Sequence, residues 1–161
     1  MRIILSIFIL SILMACGDDE TGQTFPDAPA NPDQAKLLQL INDARTAGHT
    51  CGSTNKPAVG TVTWNDTLAV VAKKHSQDMD NKNFFTHTGS DGSTVEERII
   101  REGYLPDYYV ENLLKGGETE EVAIEAWLNS TDHCNNLMDA GVAEIGIGTA
   151  GPYWTLVMAI H

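Results

Sequence analysis

The sequence predicts an α+β domain in which helices cover a small antiparallel sheet. Helical spacing of apolar residues dominates the early and middle chain, as at Leu37, Leu40, Ile41 and Ala44 and again at Leu68, Val71, Ala72 and Met79. The firm strand signals come late, at 143–148 and 153–160. Helices first and strands last, without βαβ alternation, is an α+β pattern. The stretch 34–161 has a normal size for one domain with one core.

The first helix runs over 36–45, with Asp33 or Asn31 as its cap and Gly48 as its stop. Residues 52–60 read as a loop broken by Ser53, Asn55 and Pro57. Asn65 and Asp66 cap a second helix, and His75 falls on its apolar face, where a core or boundary role is the ordinary one. After a loop over 81–92, Thr94 and Glu97 have capping-box spacing for a short helix through Val95, Arg98, Ile99 and Glu102, ended by Gly103. Thr119 opens the next helix, with Glu120 and Glu121 favourable in its first turn. Val122, Ala123, Ala126 and Trp127 are its expected buried side. The alternating run Ala143-Glu144-Ile145-Gly146-Ile147-Gly148 and the apolar run from Tyr153 to Ile160 flank Gly151-Pro152, which predicts a terminal antiparallel hairpin. Trp127 and Trp154 are expected in the core.

The N-terminus reads as an export segment. Arg2 precedes an apolar run from Ile3 to Leu13, too short for the roughly 20 residues of a membrane span. It ends at Leu13-Met14-Ala15-Cys16, which resembles a bacterial lipobox cut before Cys16 and lipidated there; the alternative is an ordinary secretory signal. Gly17 rather than Asp follows the cysteine, which favours the outer membrane or cell surface, with the periplasmic side as the alternative. Residues 16–33 are acidic and proline-containing with one aromatic, Phe25, and are expected to form a flexible tether. The division expected is therefore a signal at 1–15, a tether at 16–33 and a folded domain at 34–161.

The net charge is −12, and −13 once Arg2 is removed. An acidic surface argues against nucleic acid and against electrostatic adhesion to anionic lipid, leaving the anchor as the membrane contact. Beyond Cys16, Cys51 and Cys134 remain. An even remainder in an oxidising compartment suggests a disulfide, and closing so long a segment stabilises by roughly 4–5 kcal/mol on the chain-entropy model. The alternative is two free thiols, with Cys134, beside His133, as a ligand or nucleophile.

Two histidine-bearing segments carry the candidate chemistry: Phe84-Phe85-Thr86-His87-Thr88 and Trp127-Leu128-Asn129-Ser130-Thr131-Asp132-His133. Between them lies Glu111 in Val110-Glu111-Asn112-Leu113. Two imidazoles and a carboxylate are costly to bury unless they pair, bind a metal or do chemistry. Asn112 is placed to orient Glu111 by hydrogen bonding.

Together with Trp64-Asn65, His75-Ser76-Gln77-Asp78-Met79, Glu144-Ile145-Gly146-Ile147-Gly148 and Tyr153-Trp154-Thr155, these segments resemble the bacterial, SCP-like branch of the CAP superfamily. That superfamily includes cysteine-rich secretory proteins, antigen 5 and the plant pathogenesis-related class 1 proteins. The resemblance implies an α-β-α sandwich around a small antiparallel sheet, with a solvent-filled cleft lined by two His and two Glu. His87, Glu111 and His133 match three of that set. The second glutamate position holds Ser130, and Val110 replaces the usual glycine before Glu111. The resemblance also supports pairing of Cys51 with Cys134.

Three functions follow as expectations. His87, Glu111 and His133 can form a two-His, one-carboxylate set for Zn²⁺ or another divalent cation, and from it a metal-dependent hydrolase with Glu111 as ligand or base. A serine hydrolase through Ser130, Ser90 or Ser93 lacks a nucleophile-elbow context. The preferred reading is a non-enzymatic, lipid-anchored module of the cell envelope that binds a lipid or sterol, a glycan, a peptide or another envelope component.

Overall fold

The structure, a computed structural model, describes residues 24–161. The expected signal at 1–15 and the lipidation site Cys16 lie outside the described residues. Three layers are stacked: helices, a sheet, helices.

The capping chemistry sets the helix starts. Helix α1 spans Gln34–Ala47, and the side chain of Asp33 accepts from Lys36 N at 3.1 Å. A short hairpin follows, β1 (His49–Cys51) against β2 (Thr54–Lys56). This corrects the reading of 52–60 as loop throughout: Gly52, at φ 60°, makes the tight return that lets two three-residue strands pair. After β3 (Thr63–Trp64), helix α2 spans Asp66–Lys82, with Asn65 Oδ1 accepting from Thr67 N and Leu68 N. It ends at Asn83 in the left-handed region. Helix α3 (Val95–Arg101) carries the full Thr94–Glu97 capping box. Strand β4 (Tyr108–Lys115), helices α4 (Glu120–Asn129) and α5 (Thr131–Leu137), and the hairpin β5 (Glu144–Ala150) and β6 (Tyr153–Ile160) complete the domain.

Strand order in the main sheet is β3-β5-β6-β4. The β4–β6 and β5–β6 pairs are antiparallel, and the two-residue β3 joins β5 in parallel. The terminal hairpin and the α+β class are as expected.

Alternation along the strands sorts residues between the two helical layers. Ile145, Ile147, Trp154, Leu156 and Met158 pack with Leu37, Ile41, Trp127 and Leu137 of α1, α4 and α5. Val157 and Ala159 face the other way, onto Leu68, Val71 and Ala72 of α2 and Ile99 of α3. On that side the middle of β5 offers Gly146 and Gly148. A Cβ on Gly146 would fall on Ala69 N and Leu68 C, and one on Gly148 on Lys73 N and Ala72 C. The backbone of α2 thus rests directly on the backbone of β5. Ser76 Oγ fixes the contact, 2.9 Å from Gly148 O and 2.9 Å from Thr155 Oγ1.

In α4 the inward face is Glu120, Ala123, Ile124 and Trp127. Val122 is 48% exposed, a correction to its expected place inside. The i, i+3, i+4, i+7 series starts at Glu120, which accepts from Asp33 N and Lys36 Nζ at 2.8 and 3.2 Å and so holds α4 to the cap of α1. Cys51 and Cys134 form a disulfide, tying the β1–β2 hairpin to α5. Arg45 is 1% exposed and spans the same layer, donating to Gly60 O at 2.7 Å, Leu137 O at 2.7 Å and Asp139 O at 2.9 Å. The last carbonyl of α5 finds its partner there.

Contacts begin within the segment expected as tether. Ala28 N donates to Gly151 O at 2.8 Å, Thr149 Oγ1 to Pro29 O at 2.6 Å and Lys73 Nζ to Ala30 O at 3.1 Å.

Since a methyl group at Gly148 has no space against α2, Gly148→Ala should lower the free energy of unfolding by about 2–3 kcal/mol. A urea midpoint equal to that of the unsubstituted protein would show that α2 does not rest on this strand.

Candidate functional site

The loop between α2 and α3 is strapped to both helices, and this places His87. His75 Nε2 lies 3.0 Å from Thr86 O. A carbonyl only accepts, so the ring proton sits on Nε2. Asp78 accepts from Ser90 N at 2.8 Å and Ser90 Oγ at 2.6 Å. Arg98 of α3 reaches back to His87 O at 2.9 Å and Ser93 O at 3.1 Å.

His87 is thereby held over Glu111 of β4. Its Nδ1 is 2.8 Å from Glu111 Oε1. The carboxylate accepts, so Nδ1 carries the proton and Nε2 points outward from a side chain that is 56% exposed. Glu111 is the opposite, with only 2% of its side chain exposed. Its second oxygen, Oε2, accepts from Arg98 Nη2 at 2.7 Å. A carboxylate this deep requires such a partner, and breaking a buried pair of this kind costs about 3–5 kcal/mol.

Arg98 is the residue that sequence reasoning missed. Its spacing with Val95 and Ile99 on a short helix places it on the inward face, and an inward arginine demands a buried acceptor. Asn136 was missed too: it donates to Asn112 Oδ1 at 2.8 Å and to Glu111 O at 3.3 Å.

Asn112 does not orient the Glu111 carboxylate, which corrects the expectation. Glu111 pairs with Val157 and Asn112 with Leu156. Adjacent strand residues project to opposite faces, so the two side chains separate. Asn112 Nδ2 instead donates to His133 O at 2.9 Å, anchoring α5 at the sheet edge.

His133 is half-buried on α5. Burial lowers its pKa below the ordinary 6.5, and the nearby His87 lowers it further. Glu111 holds the His87 ring and Asn112 the His133 backbone, so the two histidines meet the edge strand at adjacent positions. Ser130 stands at the junction of α4 and α5 and makes no side-chain capping bond. Ser90 is committed to Asp78, and no serine hydroxyl bonds His87 among the described residues.

As a metal centre the trio is incomplete. Among the described residues, no three His, Cys, Asp or Glu groups gather closely enough to hold an ion. Both oxygens of Glu111 are already engaged, and the Arg98 guanidinium beside them opposes a cation. What the arrangement offers is a carboxylate-oriented imidazole, half exposed, with its second nitrogen outward.

His75, like His133, is held neutral chiefly by burial, its pKa lowered from 6.5. Both contribute stability that is present above about pH 6.5 and lost as the pH falls, because the unfolded chain then binds more protons. Each adds at most about 1.4 kcal/mol per pH unit. The urea midpoint should therefore drop between pH 7.5 and 5.5, above the range where Glu120, Glu144 and Asp91, all depressed in pKa, begin to titrate. His133→Asn should flatten that drop, and a midpoint constant across the interval would contradict it.

The family model described as "CAP: Cysteine-rich secretory protein family" matches residues 38–153. An uncharacterized Bacillus subtilis protein, YkwD, is 28% identical over 84% of the chain. The chain spans only 51% of that relative's length. Among solved structures, an extracellular protein containing an SCP domain from Bacillus anthracis superposes with a TM-score of 0.70 at 24% identity, over 79% of this chain and 40% of that one. An outer surface protein from Borrelia burgdorferi gives 0.68 at 23% identity, over 84% of this chain and 98% of that one. The stacking of helices on both faces of a small sheet, the order of motifs and the extent of the match agree: this chain belongs to the CAP family of cysteine-rich secretory proteins.

Proposed function

We propose that this chain is a binding module of the bacterial cell envelope, anchored through a lipidated Cys16, that recognises its ligand at His87 and the adjoining His133. The observation that carries this is the contrast within one ion pair: Glu111 is buried and fixed by Arg98, while the imidazole it orients is half in solvent. A rigid inner half presenting an exposed outer half is a preorganised recognition element.

Export is supported by the apolar leader, by the disulfide and by the extracellular and outer-surface descriptions of two proteins of the same fold. No helix among the described residues is long and apolar enough to cross a membrane. Metal-dependent hydrolysis would need Glu111 to leave both His87 and Arg98 before serving as ligand or base, so binding is the better-supported reading. The ligand class at His87 is an envelope lipid or sterol, glycan, peptide or protein.

Capture experiments with envelope extracts test this directly. A component retained by the intact protein and lost with His87→Ala is expected; equal retention by both would remove His87 from recognition. Fractionation of the same cells should place the protein with membranes and Cys16→Ser away from them, and a wild-type protein recovered free of membranes would end the anchor reading.

A second reading rests on the placing of His87 and His133 at adjacent residues of the edge strand. Two imidazoles can hold Zn²⁺ with solvent completing its shell. Calorimetric titration with zinc should then show saturable uptake that is abolished in the His87→Ala, His133→Ala double variant. Absence of saturable uptake by the unsubstituted protein would end it.

A further inference from the structure

A half-open pocket of about 190 Å³ lies between α2, the 89–93 turn and α3. It adjoins the Glu111 site and shares Arg98 with it, while the rest of its lining is separate. His75, Arg98 and Val71 contribute to it, and the ion pairs Lys74–Glu102 (2.7 Å) and Arg101–Asp91 (3.1 Å) border it.

Two buried side-chain atoms lack a hydrogen-bond partner among the described residues: His75 Nδ1 and Arg98 Nε. Both side chains line this one pocket, and they are only 1% and 7% exposed. An unpaired buried polar atom costs about 1–3 kcal/mol. Two of them at one cavity, one acceptor and one donor, are completed by a polar group from outside the chain.

The chemistry of the pair restricts the guest. His75 carries its proton on Nε2, which is spent on Thr86 O, so Nδ1 offers a lone pair and only accepts. Arg98 Nε–H only donates. A fully deprotonated anion has nothing to give His75, and a metal cation has nothing to take from Arg98. A hydroxyl does both, donating through its hydrogen and accepting through its oxygen. Charge points the same way: Lys74, Arg98 and Arg101 are balanced by Asp78, Asp91 and Glu102 around the pocket. The alternating rim supplies donors and acceptors for further hydroxyls, while Val71 offers an apolar patch. The volume exceeds several times the ~30 Å³ share of one water and falls short of the roughly 300 Å³ where drug-sized sites begin.

We propose that this pocket binds a neutral polyhydroxylated ligand about the size of one sugar ring, whose hydroxyls donate to His75 Nδ1 and accept from Arg98 Nε. It is a second site beside the one at His87 and stands independently of that reading.

Titration of the purified protein with D-glucose and myo-inositol, followed by the imidazole nitrogen resonances of His75, tests the proposal. Inorganic sulfate, which only accepts hydrogen bonds, serves as the anionic control. A saturable shift of His75 Nδ1 is expected with at least one of the two polyols and none with sulfate. His75→Phe, which keeps an aromatic ring but removes the acceptor, should weaken polyol binding, measured by calorimetry, at least about tenfold. Lys74→Ala, at an exposed ion pair of little weight for stability, should weaken it about threefold and decides the matter if His75→Phe does not fold. His87→Ala should bind the polyol unchanged, so this site and the one at His87 can fail separately. No saturable shift with either polyol, a saturable shift with sulfate alone, or undiminished binding by the folded His75→Phe or by Lys74→Ala would overturn the proposal.

Discussion

The close seating of α2 on β5 is the constraint from which the rest of the structure follows. Gly146 and Gly148 leave no side chains between helix and strand, so the two backbones meet. Any bulk there would push α2 outward and change where its far turns lie. Those turns carry His75 and Asp78, which hold Thr86 and Ser90 and so define the path of the loop bearing His87. The imidazole reaches Glu111 because two glycines a layer below set the height of the helix.

Glu111 shows why a second helix is needed. It sits on the edge strand β4 with its side chain turned toward the α2–α3 layer, beside Val157. Left with His87 alone, a carboxylate only 2% exposed would be poorly compensated. Arg98 supplies the missing charge and spends a second nitrogen on the loop carbonyls of His87 and Ser93. One guanidinium therefore neutralises the acid and fixes the loop that delivers the base. The result is a rigid pair with one exposed end.

The opposite layer is fastened by other means. The disulfide and Arg45 both converge on α5, from the β1–β2 hairpin and from α1. Asn112 and Asn136 then join α5 to the edge strand. His133 is presented at that edge from the far side of the sheet, which is how histidines from different layers come to influence one another. The proposed polyol pocket lies back on the α2–α3 side, so Arg98 stands between two potential recognition surfaces.

The sequence by itself determined the helices with strong caps, the late hairpin and the core tryptophans, and through resemblance to the family it singled out His87, Glu111 and His133. These are local matters: a cap lies within three residues of the amide it serves, and periodicity shows which face turns inward. Short elements escaped because β1, β2 and α5 have too few residues for a period to register. Only the tertiary structure decided which inward groups meet. Arg98 and Glu111 belong to different elements, Asn112 and Glu111 part company through strand alternation, and Pro29 finds Thr149 across 120 residues of chain. Such pairings depend on strand register and on the height at which one layer rests on another, and neither quantity is written in any single stretch of residues.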